Sequence, residues 1–76
     1  MMRDLVAFIA GSLVDRPEAV EVAATEQEDT LLLELTVAQE DLGKVIGRQG
    51  RTAKAMRTLL NAVNRESGHQ VKLEIA

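Results

Sequence analysis

Four residues at positions 47–50, Gly47-Arg48-Gln49-Gly50, have types and spacing that suit contact with a phosphate chain. Glycine has no Cβ, so a sugar-phosphate backbone can pass close to the main chain at Gly47 and Gly50. Arg48 adds a charged donor for phosphate oxygens, and Gln49 adds a neutral donor and acceptor. The pattern alone is weak, because glycine at roughly 7% of residues places Gly-x-x-Gly in about one of every three chains of this length by chance.

The charged residues are segregated along the chain, and this segregation favours a polyanion at the loop. Residues 1–41 hold ten acidic residues against Arg3 and Arg16, whereas residues 42–65 hold six basic residues and no acidic one. The six are Lys44, Arg48, Arg51, Lys54, Arg57 and Arg65. A bound polyanion responds to the local field rather than to the net charge of −3. By itself the basic segment is equally consistent with a solvated helix face.

Apolar residues recur with a helical period in residues 3–14, 39–46 and 51–66. In the first helix the expected inward residues are Leu5, Val6, Phe8, Ile9, Leu13 and Val14. In the long helix they are Ala53, Met56, Leu59, Leu60 and Val63. Pro17 should stop the first helix, and Gly47 and Gly68 should stop the second and third.

Apolar and polar residues alternate in residues 18–25, 30–37 and 70–75, which predicts three strands. In the middle strand Leu31, Leu33, Leu35 and Val37 should face inward. A polar turn over residues 26–29 joins the first two strands. The predicted order is helix, strand, strand, helix, helix, strand, an α+β fold of two layers.

The predicted elements place the glycine pair between the end of one helix and the start of the next. The amides near residues 50–53 would then carry the positive end of the long helix's dipole toward a phosphate. Arg51 and Lys54 would extend the positive track along that helix. The alternative is a plain helix-loop-helix turn in which the glycines serve only geometry.

The segment Val45-Ile46-Gly47-Arg48-Gln49-Gly50, with its flanking helices and strands, resembles the K-homology (KH) RNA-binding domain. The extra helix and strand on the N-terminal side resemble the type II arrangement. The resemblance covers residues 1–76 as a single KH domain and is to the small bacterial KhpA (YlqC-type) family. It implies a type II KH fold, α-β-β-α-α-β, with a three-stranded mixed sheet and three helices packed on one face.

The resemblance also implies a site and partners. The RNA backbone, about four nucleotides of single-stranded RNA, would be held by the loop and the helix after it. These residues are Gly47, Arg48, Gln49, Gly50, Arg51 and Lys54. Bases would lie in a groove lined by Leu42, Lys44, Val45 and Ile46, with Leu33 or Leu35 as further candidates. Family members pair with each other or with a larger KhpB (Jag-type) KH protein, and are linked to RNA chaperone activity, cell elongation and envelope homeostasis.

The sequence departs from a strong single-strand binder in two respects. It has no Trp or Tyr, and Phe8 is expected to be buried, so stacking platforms are missing and weak affinity is expected. Glu26, Glu28 and Asp29 lie in the hairpin that resembles the family's variable loop, the other jaw of the groove. Acids there would repel phosphates and shift the RNA toward the long helix.

Two other function classes compete with RNA binding. A protein-interaction module would use the apolar face of the first helix or the small residues Ala55 and Ala62 as a dimer surface. An enzyme is disfavoured, because the chain lacks a nucleophile–base pair and a Walker motif. Glu40 and Asp41 are interpreted as first-turn residues favoured by the helix dipole. His69, the only histidine, is expected near a strand start without metal-ligating companions.

No metal, cofactor or small-molecule substrate is expected. The apolar run over residues 5–14 is too short to span a bilayer, which needs about twenty residues. Asp4, Gly11 and Ser12 argue against a signal peptide. The absence of cysteine fits a reducing compartment. We therefore expect a cytoplasmic protein.

Overall fold

The computed structural model describes residues 2–65 and 70–76. Its helices are α1 (Met2–Leu13), α2 (Leu42–Ile46) and α3 (Arg51–Val63), and its strands are β1 (Glu21–Gln27), β2 (Thr30–Thr36) and β3 (Gln70–Ile75). Single 3₁₀ turns cover Pro17–Ala19, Gln39–Asp41 and Arg48–Gly50. This order confirms the predicted arrangement of elements. Within the described ranges, every helix is too short or too polar to cross a lipid bilayer.

The three strands form one mixed sheet in the order β1-β2-β3. β1 pairs with β2 antiparallel, and β2 pairs with β3 parallel. Leu33 in β2 lies opposite both Ala24 of β1 and Leu73 of β3, which fixes the face that turns toward the core. Because side chains alternate along a strand, Leu35 and Val71 share this face. The period-two prediction for β2 and β3 is therefore confirmed.

One hydrophobic core joins this face of the sheet to all three helices, as predicted. The buried residues of the cluster are Val6, Ala10, Leu33, Leu35, Val37, Val45, Met56, Leu60, Val71 and Leu73. α1 packs mainly on β1 and β2, and α3 packs on β3. The helices lie on one side of the sheet, so the loop between α2 and α3 is anchored from both ends by core residues.

Several predicted boundaries were wrong by a few residues. Pro17 begins a 3₁₀ turn, so β1 starts at Glu21 rather than residue 18 and runs through Gln27 to a two-residue turn. Residues 39–41 form a 3₁₀ turn ahead of a shorter α2, and α3 ends at Val63 rather than residue 66. The expectations for Gly68 and His69 fall outside the described residues.

The inward face of α1 differs from the prediction at two residues. Val6 and Ala10, four residues apart on one helix face, have no exposed surface. Phe8 is 73% exposed and Leu13 is 41% exposed, so the expectation that Phe8 is buried was wrong. The physical reason is that Phe8 lies about 200° from Val6 around the helix axis, on the side away from the sheet. The core uses part of the apolar face of α1, while Phe8 and Leu13 remain exposed, so the use of this helix as a dimer surface stays a prediction.

α3 carries a second apolar surface beside its buried face. Ala53, Met56 and Leu60 are buried as predicted, but Leu59 is 42% exposed and Val63 is 46% exposed. At about 100° per residue, Leu59 and Val63 lie at the margin of the buried arc and continue toward Ala55 and Ala62. We call these four residues, Ala55, Leu59, Ala62 and Val63, the α3 apolar strip.

Candidate nucleic-acid interface

The glycine loop, residues 47–50, has an unusual backbone. Gly47 has φ 79° and ψ 172°, Gly50 has φ 75° and ψ 13°, and Gln49 between them has φ 58° and ψ 26°. Positive φ is favourable for glycine and costs roughly 1–2 kcal/mol for an ordinary residue such as Gln49. The loop therefore requires glycine at its first position and tolerates Gln49 only in a left-handed conformation.

Gly47 is also held at close quarters by the start of α3. A Cβ placed on Gly47 would lie 2.8 Å from both Cβ and the backbone nitrogen of Thr52, and closer still to Thr52 Oγ1. Gly50 differs, since a Cβ there would meet no atom within 4 Å. The two glycines thus have different roles: Gly47 permits the chain to turn tightly against α3, and Gly50 leaves open space at the surface.

Hydrogen bonds within the loop decide which amides can meet a ligand. The Gly47 amide donates to Gly43 O at 2.9 Å, and the Gly50 amide donates to Gly47 O at 3.1 Å. The Arg51 amide donates to Arg48 O. The expectation that the amides of residues 50–53 all face a phosphate is corrected, because two of them close the loop's own turn. Thr52 and Ala53 supply the next amides of the first helical turn, where α-helical bonding provides no partner.

Three basic side chains near the loop are exposed and face solvent: Arg48, Arg51 and Lys54. Within residues 2–65 and 70–76, none of the three forms an ion pair with an acidic side chain. Arg57 differs, since its Nε donates to Leu73 O on the edge of β3 at 3.2 Å. Arg48, Arg51 and Lys54 therefore place positive charge at the loop and in the first turn of α3.

Lys44 is placed differently from the other basic residues. Its ammonium pairs with the carboxylate of Asp15 and lies 3.3 Å from Asp41 Oδ1. The hydrogen bond to Asp15 is the main reason that the pKa of Lys44 is raised above its ordinary value. The ammonium is thus paired with two carboxylates of the protein, although 43% of the Lys44 side chain remains exposed.

The apolar residues before the loop divide between surface and core. Leu42 and Ile46 are half-buried and offer surface beside the loop. Val45, Leu33 and Leu35 have no exposed surface, so the expectation that they contact bases is corrected. They form the core beneath the groove because their strand or helix positions point toward the sheet.

Sequence reasoning missed the role of Asp41. This residue has no exposed surface, and its Oδ2 accepts a hydrogen bond from the Arg16 amide at 3.1 Å. Burial alone would raise the pKa of Asp41, but the amides of Asp15 and Arg16 and the Lys44 ammonium outweigh it and hold the pKa below its usual value. A carboxylate three residues before a lysine was visible in the sequence, but its partners 25 residues earlier were not.

The hairpin acids lie beside the start of β3. The Gln70 amide donates to Asp29 O at 2.7 Å, which places the hairpin where β3 begins. The expectation that these acids repel phosphates and shift the RNA toward the long helix stays a prediction.

No group of three or more His, Cys, Asp or Glu side chains in the described ranges could hold a metal ion. The arrangement offers instead a rigid glycine loop, three solvent-facing cations and a short apolar margin. These features suit an extended polyanion with apolar groups attached.

Comparisons with known proteins agree with this arrangement. The family profile "KhpA/KhpB, KH domain" matches residues 3–75. The RNA-binding protein KhpA of Clostridium perfringens is 50% identical over 97% of this chain and 99% of its own length. The protein of the same name from Chlamydia caviae is 49% identical, over 97% of this chain and 95% of its own length.

The fold also occurs within a larger protein. Aquifex aeolicus Era bound to GDP and AlF4⁻ matches with a TM-score of 0.60 and 21% identity, over 97% of this chain and 29% of Era. Era in complex with MgGDPNP and nucleotides 1506–1542 of 16S ribosomal RNA matches with the same TM-score of 0.60, over 28% of its chain. At this identity the likeness shows the fold alone, which has the type II KH topology predicted from the sequence. With a family profile spanning nearly all of it and relatives about half identical, this chain belongs to the KhpA/KhpB family of KH-domain proteins.

Proposed function

We propose that this protein binds single-stranded RNA through the glycine loop and acts in the cytoplasm as an RNA chaperone or post-transcriptional regulator. The observation that carries the proposal is the glycine loop at the N-terminus of α3, beside three cations that have no acidic partner among residues 2–65 and 70–76. KH domains clamp the backbone of about four nucleotides with such a loop. Curated relatives at about half identity bear the name RNA-binding protein KhpA, which supports the same function here.

One set of residues contacts the phosphates, and another contacts the bases. Arg48 donates to phosphate oxygens from the exposed tip of the loop, with Gln49 beside it and the amides of Thr52 and Ala53 behind. Arg51 and Lys54 continue the contact along α3. Gly47 and Gly50 allow the RNA backbone to approach. No catalytic step is needed for this function.

Bases lie against the apolar margin formed by Leu42, Ile46 and the stem of Lys44. This margin is small, and it has no aromatic side chain on which a base can stack. Stacking on aromatic groups is worth about 1–3 kcal/mol per base where it occurs. A single domain should therefore bind RNA weakly, and affinity should come mainly from phosphate contacts.

The proposal is tested by the double variant Arg48→Asp with Gln49→Asp, measured by fluorescence anisotropy with labelled single-stranded RNA. Aspartate tolerates the left-handed conformation of residue 49, so the fold should remain intact. Loss of charge-assisted bonds worth about 1.5–3 kcal/mol each should weaken binding at least tenfold.

A matched control makes the same change in charge elsewhere. Arg3→Asp with Ser12→Asp alters two exposed residues of α1 and changes the net charge by the same amount as the loop variant. This control should bind RNA within about twofold of the wild type. Unchanged binding by the loop variant, or equal loss in both variants, would refute the proposal.

We further propose that the α3 apolar strip pairs with a second copy of the chain, or with a larger KhpB-type partner. The strip is exposed beside a shallow depression of about 510 Å³ lined by Arg51, Lys54, Ala55, Thr58, Leu59 and Ala62. Small residues there let two helices approach closely, and the adjoining basic residues would be brought together. Pairing would place two weak RNA sites on one complex and raise the effective affinity.

Sedimentation velocity over a range of protein concentrations tests the pairing. Leu59→Asp should shift the protein to monomer, whereas Phe8→Asp, which changes an exposed apolar residue of α1, should leave the association unchanged. A wild type that stays monomeric at all concentrations, or dissociation caused by the Phe8 change instead, would contradict this surface. A role as an interaction module alone predicts that Leu59→Asp removes the cellular function while Arg48→Asp with Gln49→Asp retains it.

The family resemblance extends the proposal to cell elongation and envelope homeostasis. A deletion strain tests this link. Its defects in cell length or envelope integrity should be rescued by the wild-type chain and not by the loop variant. Rescue by both chains would separate the cellular role from RNA binding.

A further inference from the structure

A buried carboxylate lies six residues before the glycine loop. Asp41 has no exposed surface and precedes α2 directly. A buried charge is costly unless hydrogen bonds and an opposite charge compensate for it. Its partners therefore indicate what the residue holds in place.

The partners of Asp41 come from the segment after α1 and from α2 itself. Oδ2 accepts a hydrogen bond from the Arg16 amide at 3.1 Å. Oδ1 lies 3.3 Å from Lys44 Nζ, and the same ammonium pairs with the Asp15 carboxylate. These three residues and Asp41 form the Asp41 cluster, which joins residues 15–16 to the first turn of α2.

α2 depends on such contacts because it is short. It has five residues, and among them only Val45 is fully buried. An isolated helix of this length is unstable in water, so its direction is set by what it packs against. The Gly47 amide donates to Gly43 O, so the last turn of α2 fixes the start of the glycine loop.

The charges around Lys44 indicate that its ammonium serves the fold. It is flanked by Asp41 and by Asp15, whose side chain is 80% exposed. A phosphate that approached Lys44 would meet the Asp15 carboxylate at the same point. Arg48, Arg51 and Lys54 have no such neighbour among the described residues.

From this arrangement we propose that Asp41 is the positioning residue of the RNA-binding loop: it fixes α2, and through α2 residues 47–50, in the orientation that meets RNA, with Lys44 as its counter-ion and not as a phosphate ligand. The proposal rests on RNA binding by the glycine loop. It assigns a function to a cluster that the RNA contacts do not otherwise require.

The direction in which one substitution changes the RNA affinity distinguishes this proposal from a purely electrostatic effect. Removing an acidic residue near a phosphate site should tighten RNA binding if only long-range charge matters. If Asp41 positions the loop, Asp41→Ala should weaken binding about tenfold at a temperature where the variant is still folded. Asp41→Asn keeps an acceptor for the backbone amides and should restore affinity to within about threefold of the wild type.

Backbone ¹⁵N–¹H spectra of the RNA-free protein provide a readout independent of binding. Asp41→Ala should shift the amide signals of residues 47–50. The control Glu40→Ala removes a neighbouring exposed acid whose only described pairing is a 3.8 Å contact with Arg16, and it should leave those signals in place. If Asp41→Ala does not fold, Asp41→Asn carries the same comparison, with smaller shifts expected.

The salt dependence of RNA binding tests the role of Lys44. Each phosphate contact to single-stranded nucleic acid contributes about −0.7 to the slope of log affinity against log salt. Lys54→Gln should make the slope less steep by about 0.7, whereas Lys44→Gln should leave it unchanged. A slope change for Lys44→Gln equal to that for Lys54→Gln would overturn the assignment of Lys44.

The remaining outcomes are also decisive. Wild-type affinity with unshifted loop signals in a folded Asp41→Ala protein would overturn the positioning role, and so would tighter binding. Failure of the wild type to bind RNA would instead refute the proposed function. In that case the loop signals in the RNA-free variants still decide whether Asp41 sets the loop conformation.

Discussion

Replacing Gly47 by alanine should destabilise this protein far more than the same change at Gly50. Both residues have positive φ, at 79° and 75°. At Gly50 the left-handed conformation costs alanine roughly 1–2 kcal/mol, and the new methyl group meets open space. At Gly47 the backbone lies in a region that is essentially restricted to glycine, with a cost of about 1–3 kcal/mol.

Alanine at position 47 would also cause a steric clash. A Cβ there would lie 2.8 Å from the backbone nitrogen and Cβ of Thr52, and closer to Oγ1. Overpacking of this kind costs about 1–3 kcal/mol, so the total is about 2–6 kcal/mol. A chain of 76 residues has a free energy of unfolding of about 4–11 kcal/mol at 0.05–0.15 kcal/mol per residue. Gly47→Ala should therefore remove a large share of it.

Urea denaturation followed by circular dichroism measures the difference. With a slope of about 1 kcal/mol per molar urea, Gly50→Ala should lower the midpoint by about 1–2 M and Gly47→Ala by at least twice as much. A double-mutant cycle identifies the cause, because Thr52→Ala removes Oγ1 from the collision. It should reduce the cost of Gly47→Ala by about 1 kcal/mol and leave that of Gly50→Ala unchanged. Equal costs at the two glycines, or no coupling to Thr52, would refute this account of the loop.

Three further predictions concern the same region. First, two to four phosphate contacts at about −0.7 each should give a slope of about −1.4 to −2.8 when log RNA affinity is plotted against log salt concentration. A slope near zero in an RNA titration would exclude phosphate contacts as the main source of affinity. Gln49→Gly should raise the free energy of unfolding, measured by urea denaturation, by up to about 1 kcal/mol, because Gln49 has a strained φ of 58°. A loss of stability would mean that the Gln49 side chain makes a stabilising contact. The Asp41 cluster should stabilise the fold between about pH 4 and pH 10.5, because the lowered pKa of Asp41 and the raised pKa of Lys44 favour the charged forms of both residues. This stabilisation is lost as pH falls through the pKa of Asp41 in the folded protein. It is also lost as pH rises through the pKa of Lys44 in the folded protein. Asp41→Asn should flatten the acid side of that profile, and an unaltered profile would assign the acid sensitivity to other groups.

Features encoded in short stretches of sequence were predicted well. The alternation around Leu33 and Leu35, the helical spacing of Met56 and Leu60, and the position of Gly47 each depend on residues within one or two turns of chain. Periodicity reports which face is apolar, and glycine reports where φ turns positive, so both can be read without knowledge of the rest of the fold. The segregation of charge was equally visible.

Features that depend on distant segments were not predictable in this way. Helical spacing made Phe8, Leu59 and Val63 candidates for the core. How much of each helix surface is buried depends, however, on how wide a part of the helix packs against the sheet. Phe8 turns to solvent, and part of α3 remains as the α3 apolar strip. Spacing gives the direction of an apolar face and does not give its buried width.

The sequence by itself determined the order of elements, the glycine loop and the basic segment that follows it, because these follow from local conformational preference and composition. Only the tertiary structure decided which basic residues remain available to a ligand. Lys44 pairs with Asp15 and Asp41, which lie 29 and 3 residues from it in sequence, while Arg48 has no acidic partner among the described residues. The physical reason is that an ion pair requires proximity in space, and Asp15 comes close to Lys44 only after the segment that follows α1 has packed beside α2.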